Sequence, residues 1–268
     1  MPERDRLIVR MVSRTPKRKI SSKKISSAFP GASKKASEVI REIRSHADPK
    51  KVEILSGFFK SGKGEYGEGD IFLGIQVPPI RKISKEFRGL PLTELQKIVS
   101  SKYHEERLCG FFILCETFSK SEEADRKKLH SFYLKNIKYV NNWDIVDLSS
   151  REMIGDYLRD KKRDLLYKLA KSKNLWERRI SVIATYSFIR QGDFGDTLSI
   201  SELLITDKED LIHKATGWML REVGNRDLKV ETDFLDKHAE RMPRTMLRYS
   251  IEKFPEALKK KYMNAGKK

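Results

Sequence analysis

The sequence predicts an all-α protein made of helix pairs stacked into a solenoid, and three observations predict it. From residue 33 onward apolar residues recur at steps of three and four, the spacing that builds one face of a helix. No convincing period-two run, the mark of a half-buried strand, interrupts them. The only three tryptophans, Trp143, Trp176 and Trp218, lie 33 and 42 residues apart, each within a helical segment that follows a shorter, more polar one. Such spacing suits paired-helix repeats of about 40 residues. Equivalent helices then line one concave wall, where the tryptophans and neighbouring Lys and Arg converge.

Residues 1–32 are the exception to helical periodicity. Eleven Lys or Arg against Glu3 and Asp5 give residues 1–35 a net charge of +9, half the total, and Pro30-Gly31 punctuates the end of the segment. The stretch reads as a flexible basic arm. It is either a solvated terminus, with Met11 a candidate true start, or a segment that tracks DNA; the early acids disfavour a transit peptide. The folded domain is expected over residues 33–262, with 263–268 as a short tail.

Within that domain Ala36, Val39, Ile40, Ile43 and Ala47 form the first stripe. Asp48-Pro49 supplies an N-cap and first-turn proline for a second segment carrying Val52, Leu55, Phe58 and Phe59. Lys60 to Gln76 is a Gly-rich loop; it lacks the Gly-Lys-Ser/Thr ending of a phosphate cradle. Helices resume over Ile80–Phe87, Thr93–Ser100, Glu105–Phe118 and Ser121–Lys138, the last opening on an acidic first turn. Further segments span Trp143–Leu158, Arg163–Lys171, Trp176–Ile189, Ser201–Leu204, Leu211–Val223, Val230–His238, Thr245–Lys253 and Pro255–Tyr262.

The chain has 268 residues, 35% of them charged, and a formal net charge of +18. Length permits a large core, and the charge points to an acidic partner: nucleic acid first, then anionic membrane or acidic protein. No apolar run approaches the roughly 18 residues that span a bilayer, so a soluble protein without membrane association is expected. Cys109 and Cys115 lie six apart on different faces of one helix and cannot close a local disulfide, which suits a reducing compartment. The expected location is cytoplasmic, nucleoid-associated in a prokaryote, and the expected state a monomer.

Candidate chemistry centres on the tryptophan segments. Asn142 is a natural N-cap for a helix that carries Trp143 and Asp147, at i and i+4, on one face. Asp144 in the first turn complements the helix dipole. Asp147 lies past the turn where capping explains an acid, among Ile145, Val146 and Leu148; read alone, such a pair is more often a packed Trp and a solvated Asp. Arg178 and Arg179 follow Trp176; adjacent helical arginines are ordinarily surface charge, yet guanidinium is the group that grips phosphate oxygens with two hydrogen bonds. Gly217, beside Trp218, costs about 1 kcal/mol relative to Ala in mid-helix. Something approaches closely there, either a neighbouring helix or a nucleotide. The five histidines lack metal-ligand spacing, the two cysteines form no Cys-x-x-Cys, and nucleophile-elbow, dinucleotide and Walker motifs are missing.

Four ordered blocks then carry a resemblance. Gly69-Asp-Ile-Phe-Leu-Gly-Ile-Gln-Val-Pro78, Trp143-Asp-Ile-Val-Asp147, Leu175-Trp-Glu-Arg-Arg179 and Lys214-Ala-Thr-Gly-Trp-Met-Leu-Arg-Glu222 resemble the characteristic blocks of the AlkD family of DNA alkylation repair glycosylases, over about residues 33–262. The resemblance implies a right-handed, C-shaped solenoid of HEAT-like antiparallel helix pairs, with a basic concave face for duplex DNA and no metal or organic cofactor. It places the family's catalytic Asp at Asp147, cleft tryptophans at Trp143 and Trp218, and the active-site Arg at Arg179. It also implies a contact near the DNA backbone for Arg221 and an aromatic near the lesion at Tyr66; Arg178 and Lys214, cations of the same segments, are further expected DNA contacts.

The implied activity is hydrolysis of the N-glycosidic bond of cationic N3- or N7-alkylated purines in duplex DNA, without base flipping, opening base excision repair. Elementary chemistry agrees with it. A cationic base leaves without a general acid, and a fixed carboxylate stabilises the oxocarbenium-like sugar. The competing reading is a non-catalytic helical-repeat module that binds nucleic acid or an acidic protein. A Lys-dependent β-lyase is a minor third, which borohydride trapping would reveal.

Overall fold

The computed structural model describes residues 34–265, so the basic arm over residues 1–32 lies outside the described residues. Among those residues the protein is all-helical apart from one isolated bridge between Ile71 and Tyr103. It divides into two compact units, Met1–Ser149 and Ser150–Lys268.

The first unit contains α1 (Ala36–Arg44), α2 (Pro49–Phe58), α3 (Val77–Glu86), α4 (Leu92–Val99), α5 (His104–Phe118), α6 (Glu123–Lys135), a 3-10 turn (Ile137–Tyr139) and α7 (Trp143–Ser150), whose last residue opens the second unit. α1 forms because Ala36, Val39 and Ile43 make one buried stripe, while Arg41 and Arg44 suit the negative end of the helix. α2 starts where the Asp48 carboxylate accepts the Lys50 N–H at 3.1 Å, with Pro49 in the first turn, yet it buries none of its residues. α5 is the hub: α1, α3 and α4 all pack on it, and it is buried on nearly every side. That explains its continuous apolar run from Leu108 to Leu114, which no solvent-facing stripe breaks.

The second unit begins as α7 runs on into a π-helical segment (Arg151–Asp156). It continues with α8 (Asp164–Ala170), α9 (Leu175–Ala184), α10 (Tyr186–Ile189), α11 (Gly195–Leu203), α12 (Asp210–Gly224), α13 (Leu228–His238), α14 (Arg244–Ser250), a 3-10 turn (Ile251–Lys253) and α15 (Glu256–Met263). α8 packs on α9, α9 on α12, and α12 on both α13 and α14, so adjacent helices pair and the longer helices also pack across the short ones between them. Leu220, Leu235, Met246, Leu247 and Ile251 build the terminal core, closed by Tyr262.

Gly217 sits where α12 crosses α14. A Cβ there would lie 2.3 Å from the Met246 carbonyl oxygen and 2.6 Å from Tyr249 Cβ. The close approach that the sequence demanded is therefore that of a neighbouring helix.

Several segments end differently from their sequence patterns, each for a local reason. The segment expected over Trp176–Ile189 breaks at Thr185, whose hydroxyl donates to the Val182 carbonyl at 2.7 Å and tightens the turn. The Ser121–Lys138 segment stops at Asn136, whose side-chain amide donates to Phe132 O at 3.0 Å. α11 starts six residues before the expected Ser201, because its buried face includes Thr197 and Ser201 as well as Ile200 and shows no apolar period.

Candidate functional site

The N-terminus of α7 is built by hydrogen bonds that leave Trp143 and Asp147 on adjacent turns of one face. The Trp143 N–H donates to Asn142 Oδ1 at 2.9 Å, so Asn142 caps the helix, though through the first residue rather than the second or third. Asp144 accepts from the Ile145 N–H at 2.7 Å with one oxygen and pairs with His104 Nε2 at 2.8 Å with the other. Trp143 and Asp147 are both buried, 6% and 2% exposed respectively.

His104 holds the whole corner. Its Nδ1 lies 3.1 Å from Asp70 Oδ2, while its Nε2 faces Asp144, so one imidazolium bridges the end of the Gly-rich loop and the start of α7. Asp70 also accepts from the Arg107 guanidinium and from the Asn141 and Asn142 amides, the latter two at 3.1 Å each. Burial, the largest influence on His104, disfavours the charged ring, but Asp144 and Asp70 outweigh it and raise its pKa to about 9. Burial likewise pushes the Asp70 carboxyl up, yet His104 and Arg107 hold it down at about 2. At neutral pH the cluster is therefore charged and internally compensated, as buried ions must be.

The rest of the α5 first turn is spent in the same way. The Glu105 carboxylate accepts the backbone N–H groups of Leu73, Gly74 and Ile75 at 2.9–3.1 Å, clamping the chain as it leaves the Gly-rich loop. Gly74 is required there: its φ is +83°, and a Cβ would lie 2.0 Å from the Asp48 carbonyl oxygen. Glu106 takes Arg44 Nε at 2.8 Å and the Ser101 hydroxyl at 2.6 Å. Above this polar layer Trp143 stacks on Phe59 with ring centroids 5.0 Å apart and meets Phe58 edge-on at 5.7 Å; Phe59 in turn stacks on Phe72 at 5.2 Å.

The structure places Trp143, Asp147 and the half-buried Tyr66 in the first unit, and Arg178, Arg179, Lys214, Trp218 and Arg221 in the second. Trp218, 5% exposed, directs its indole N–H to Glu222 Oε1 at 3.3 Å. Arg179, 4% exposed, donates to the Leu211 carbonyl. Arg178 grips Asp207 at 2.6 Å and donates to the Ser172 and Lys173 carbonyls at 3.0 Å, while Arg221 pairs with Glu252. Both guanidiniums already have anionic partners, with which a phosphate must compete. Lys214 pairs with Asp210 at 3.0 Å.

Sequence reasoning passed over Asp70, His104, Glu105 and Arg107. The signal that marks them is a run of ionisable residues on the stripe that continues into core: His104 leads, four residues on, to Leu108, which is 2% exposed. Among the described residues no group of three or more His, Cys, Asp or Glu is arranged to hold a metal ion, and no helix is long and apolar enough to cross a membrane.

The sequence pattern described as DNA alkylation repair enzyme matches residues 39–254, most of the folded chain. The chain belongs to the DNA alkylation repair enzyme family. Among solved structures it is similar to a predicted DNA alkylation repair enzyme from Enterococcus faecalis, at 16% identity and a TM-score of 0.62. The match covers 79% of this chain and 98% of that one, and it speaks for a shared fold. No curated protein sequence matches at a significant level. As a family member, the protein has a role in the repair of alkylated DNA. Residues 143–147 lie within the matched span and form part of the corner that His104 fastens.

Proposed function

We propose that the protein is a monofunctional DNA glycosylase that hydrolyses the N-glycosidic bond of purines made cationic by N3- or N7-alkylation in duplex DNA, without flipping the base. The observation that carries the reading is Asp147 one turn beyond Trp143, on a helix whose first turn is locked by the Asp144–His104 pair. Family membership supports the substrate class.

The chemistry asks little of a general acid. The bond between C1′ and N9 breaks with its electron pair going to the cationic base, which departs neutral with its alkyl group, and the sugar takes up the positive charge. Asp147 stabilises that charge and orients the water whose oxygen bonds to C1′ and whose proton is then lost to solvent. Trp143 and Trp218 offer π faces to the cationic nucleotide, each contact contributing about 0.5–2 kcal/mol. Arg179 holds a flanking phosphate, and Arg178, Lys214 and Arg221 add backbone contacts, Arg178 and Arg221 by exchanging their present carboxylates for phosphate. Tyr66 lies beside the lesion, the protein acts as a monomer, and one folded domain spans residues 33–262.

The reading restricts the substrate to lesions that leave easily. Duplexes containing 7-methylguanine, 3-methyladenine or uracil test it: release of the two methylated purines with uracil retained supports the reading, and release of uracil at a similar rate contradicts it. A second reading, a DNA-binding module without chemistry, is favoured by the burial of Asp147, which is 2% exposed. Binding of the same methylated duplexes without any release decides for it.

A further inference from the structure

A cavity of about 290 Å³ opens in the first unit between α2, the segment 72–78, α5 and α7. Leu55 and Phe58 of α2, Phe72 of the connecting segment, Val77 of α3, Leu108 of α5 and Trp143 of α7 give it an almost wholly apolar lining. Its two carboxylates are already committed: Asp144 pairs with His104, and Glu105 accepts three backbone N–H groups. Apart from these and His104, whose two ring nitrogens are taken by Asp70 and Asp144, the Gln76 amide is the polar side chain of the lining. A purine edge, which carries several donors and acceptors, would be stripped of water here with few partners, and that is unfavourable.

Size points to the same class of occupant. An apolar cavity of about 150 Å³ takes up benzene, so this one has room for a substituted ring. The outer wall can yield, because α2 buries none of its side chains and leaves Ile54 69% exposed. Phe58, Phe72 and Trp143 line it as an aromatic wall, Phe72 and Trp143 each with one face already stacked on Phe59.

We propose that this cavity is a binding site for an uncharged hydrocarbon group of benzyl to naphthyl size, and that its occupant is the apolar substituent of a bulky alkylated purine, with the purine itself left outside. The second half rests on the glycosylase reading, since Trp143 is shared between the cavity and the lesion contact. The cavity thereby favours arylmethyl adducts over methyl ones.

Two measurements on the full-length chain decide it. Toluene is titrated into wild type, Leu55→Trp and Val77→Trp, followed by ligand-observed NMR, with circular dichroism as the check on folding. Saturable binding that weakens at least tenfold in a folded filled variant supports the site; toluene binding that does not saturate, or that both folded variants retain, overturns it. Release of 7-benzylguanine and 7-methylguanine is then compared in single turnover. A benzyl-to-methyl rate ratio that falls at least fivefold in Leu55→Trp, with methyl release unchanged, supports the assigned occupant. An unchanged ratio overturns that assignment and leaves the glycosylase reading intact. If wild type releases neither base, the glycosylase reading and the assigned occupant fall together, while the toluene titration still decides the cavity.

Discussion

Buried ionisable groups set the character of this protein residue by residue. His104 has a folded pKa of about 9 against an ordinary 6.5, so its contribution to stability is complete below about pH 6.5 and is lost as pH rises through about 9. Asp70 runs the other way: held at about 2 against an ordinary 3.8, it contributes above that value, and the contribution disappears as pH falls toward 2. Urea unfolding at a series of pH values should show the alkaline loss in wild type and a shallower one in His104→Gln. Equal alkaline slopes would contradict the bridging role. His104→Leu, which leaves the buried Asp144 without its cationic partner while Asp70 keeps Arg107, should cost about 3–5 kcal/mol at pH 7. Glu231 is the opposite case. Burial raises its carboxyl to about 9, Arg221 offsets only part of this, and Oε1 has no hydrogen-bond partner among the described residues. A raised acid pKa penalises the folded state increasingly as pH rises above the ordinary 4.5, so Glu231→Gln should raise Tm at pH 7 and leave it nearly unchanged at pH 4. A lower Tm at pH 7 would show that the charged form is the one the fold uses.

At the scale of elements, close helix crossings leave sharper tests than helix propensities do. Gly217→Ala adds about 1 kcal/mol of intrinsic helix preference but drives a methyl against the Met246 carbonyl, 2.3 Å away. Backbone cannot yield as a side-chain tip does, so a net loss of about 1–3 kcal/mol is expected in denaturant unfolding; a stabilised variant would mean that α12 and α14 are less tightly packed. The sequence made most helices legible, because stripes such as Val39–Ile43 and Leu95–Ile98–Val99 coincide with buried faces. It failed where the buried face is small and polar, as in α11, and where one side chain tightens a turn, as at Thr185. The candidate site was legible by half. The shared helix face of Trp143 and Asp147 follows from their spacing, but the Asp70–His104–Asp144 bridge joins residues 34 and 40 positions apart, and no local period reports such a pairing. Arg178 and Arg221 show the converse: a sequence reveals a cation, whereas only the fold reveals that Asp207 and Glu252 already accompany it.

Over the whole molecule the formal charge of +18 and membership in a DNA repair family point the same way. If cationic side chains replace counterions on the duplex, binding to undamaged DNA should weaken steeply with salt, by a log–log slope of about −0.9 for each phosphate neutralised. A flat response would speak against a phosphate-lined surface. Charge alone, however, serves a passive DNA binder as well as an enzyme. What separates the two is Asp147, an acid past the turn where helix capping explains it and beside an aromatic ring. The decisive measurement is therefore single-turnover release of 7-methylguanine from methylated duplex by wild type and Asp147→Asn, with DNA binding measured in the same buffer. The account predicts release by wild type and a loss of at least a hundredfold in Asp147→Asn at unchanged binding; equal release by both proteins, or none by a wild type that binds the duplex, would contradict it.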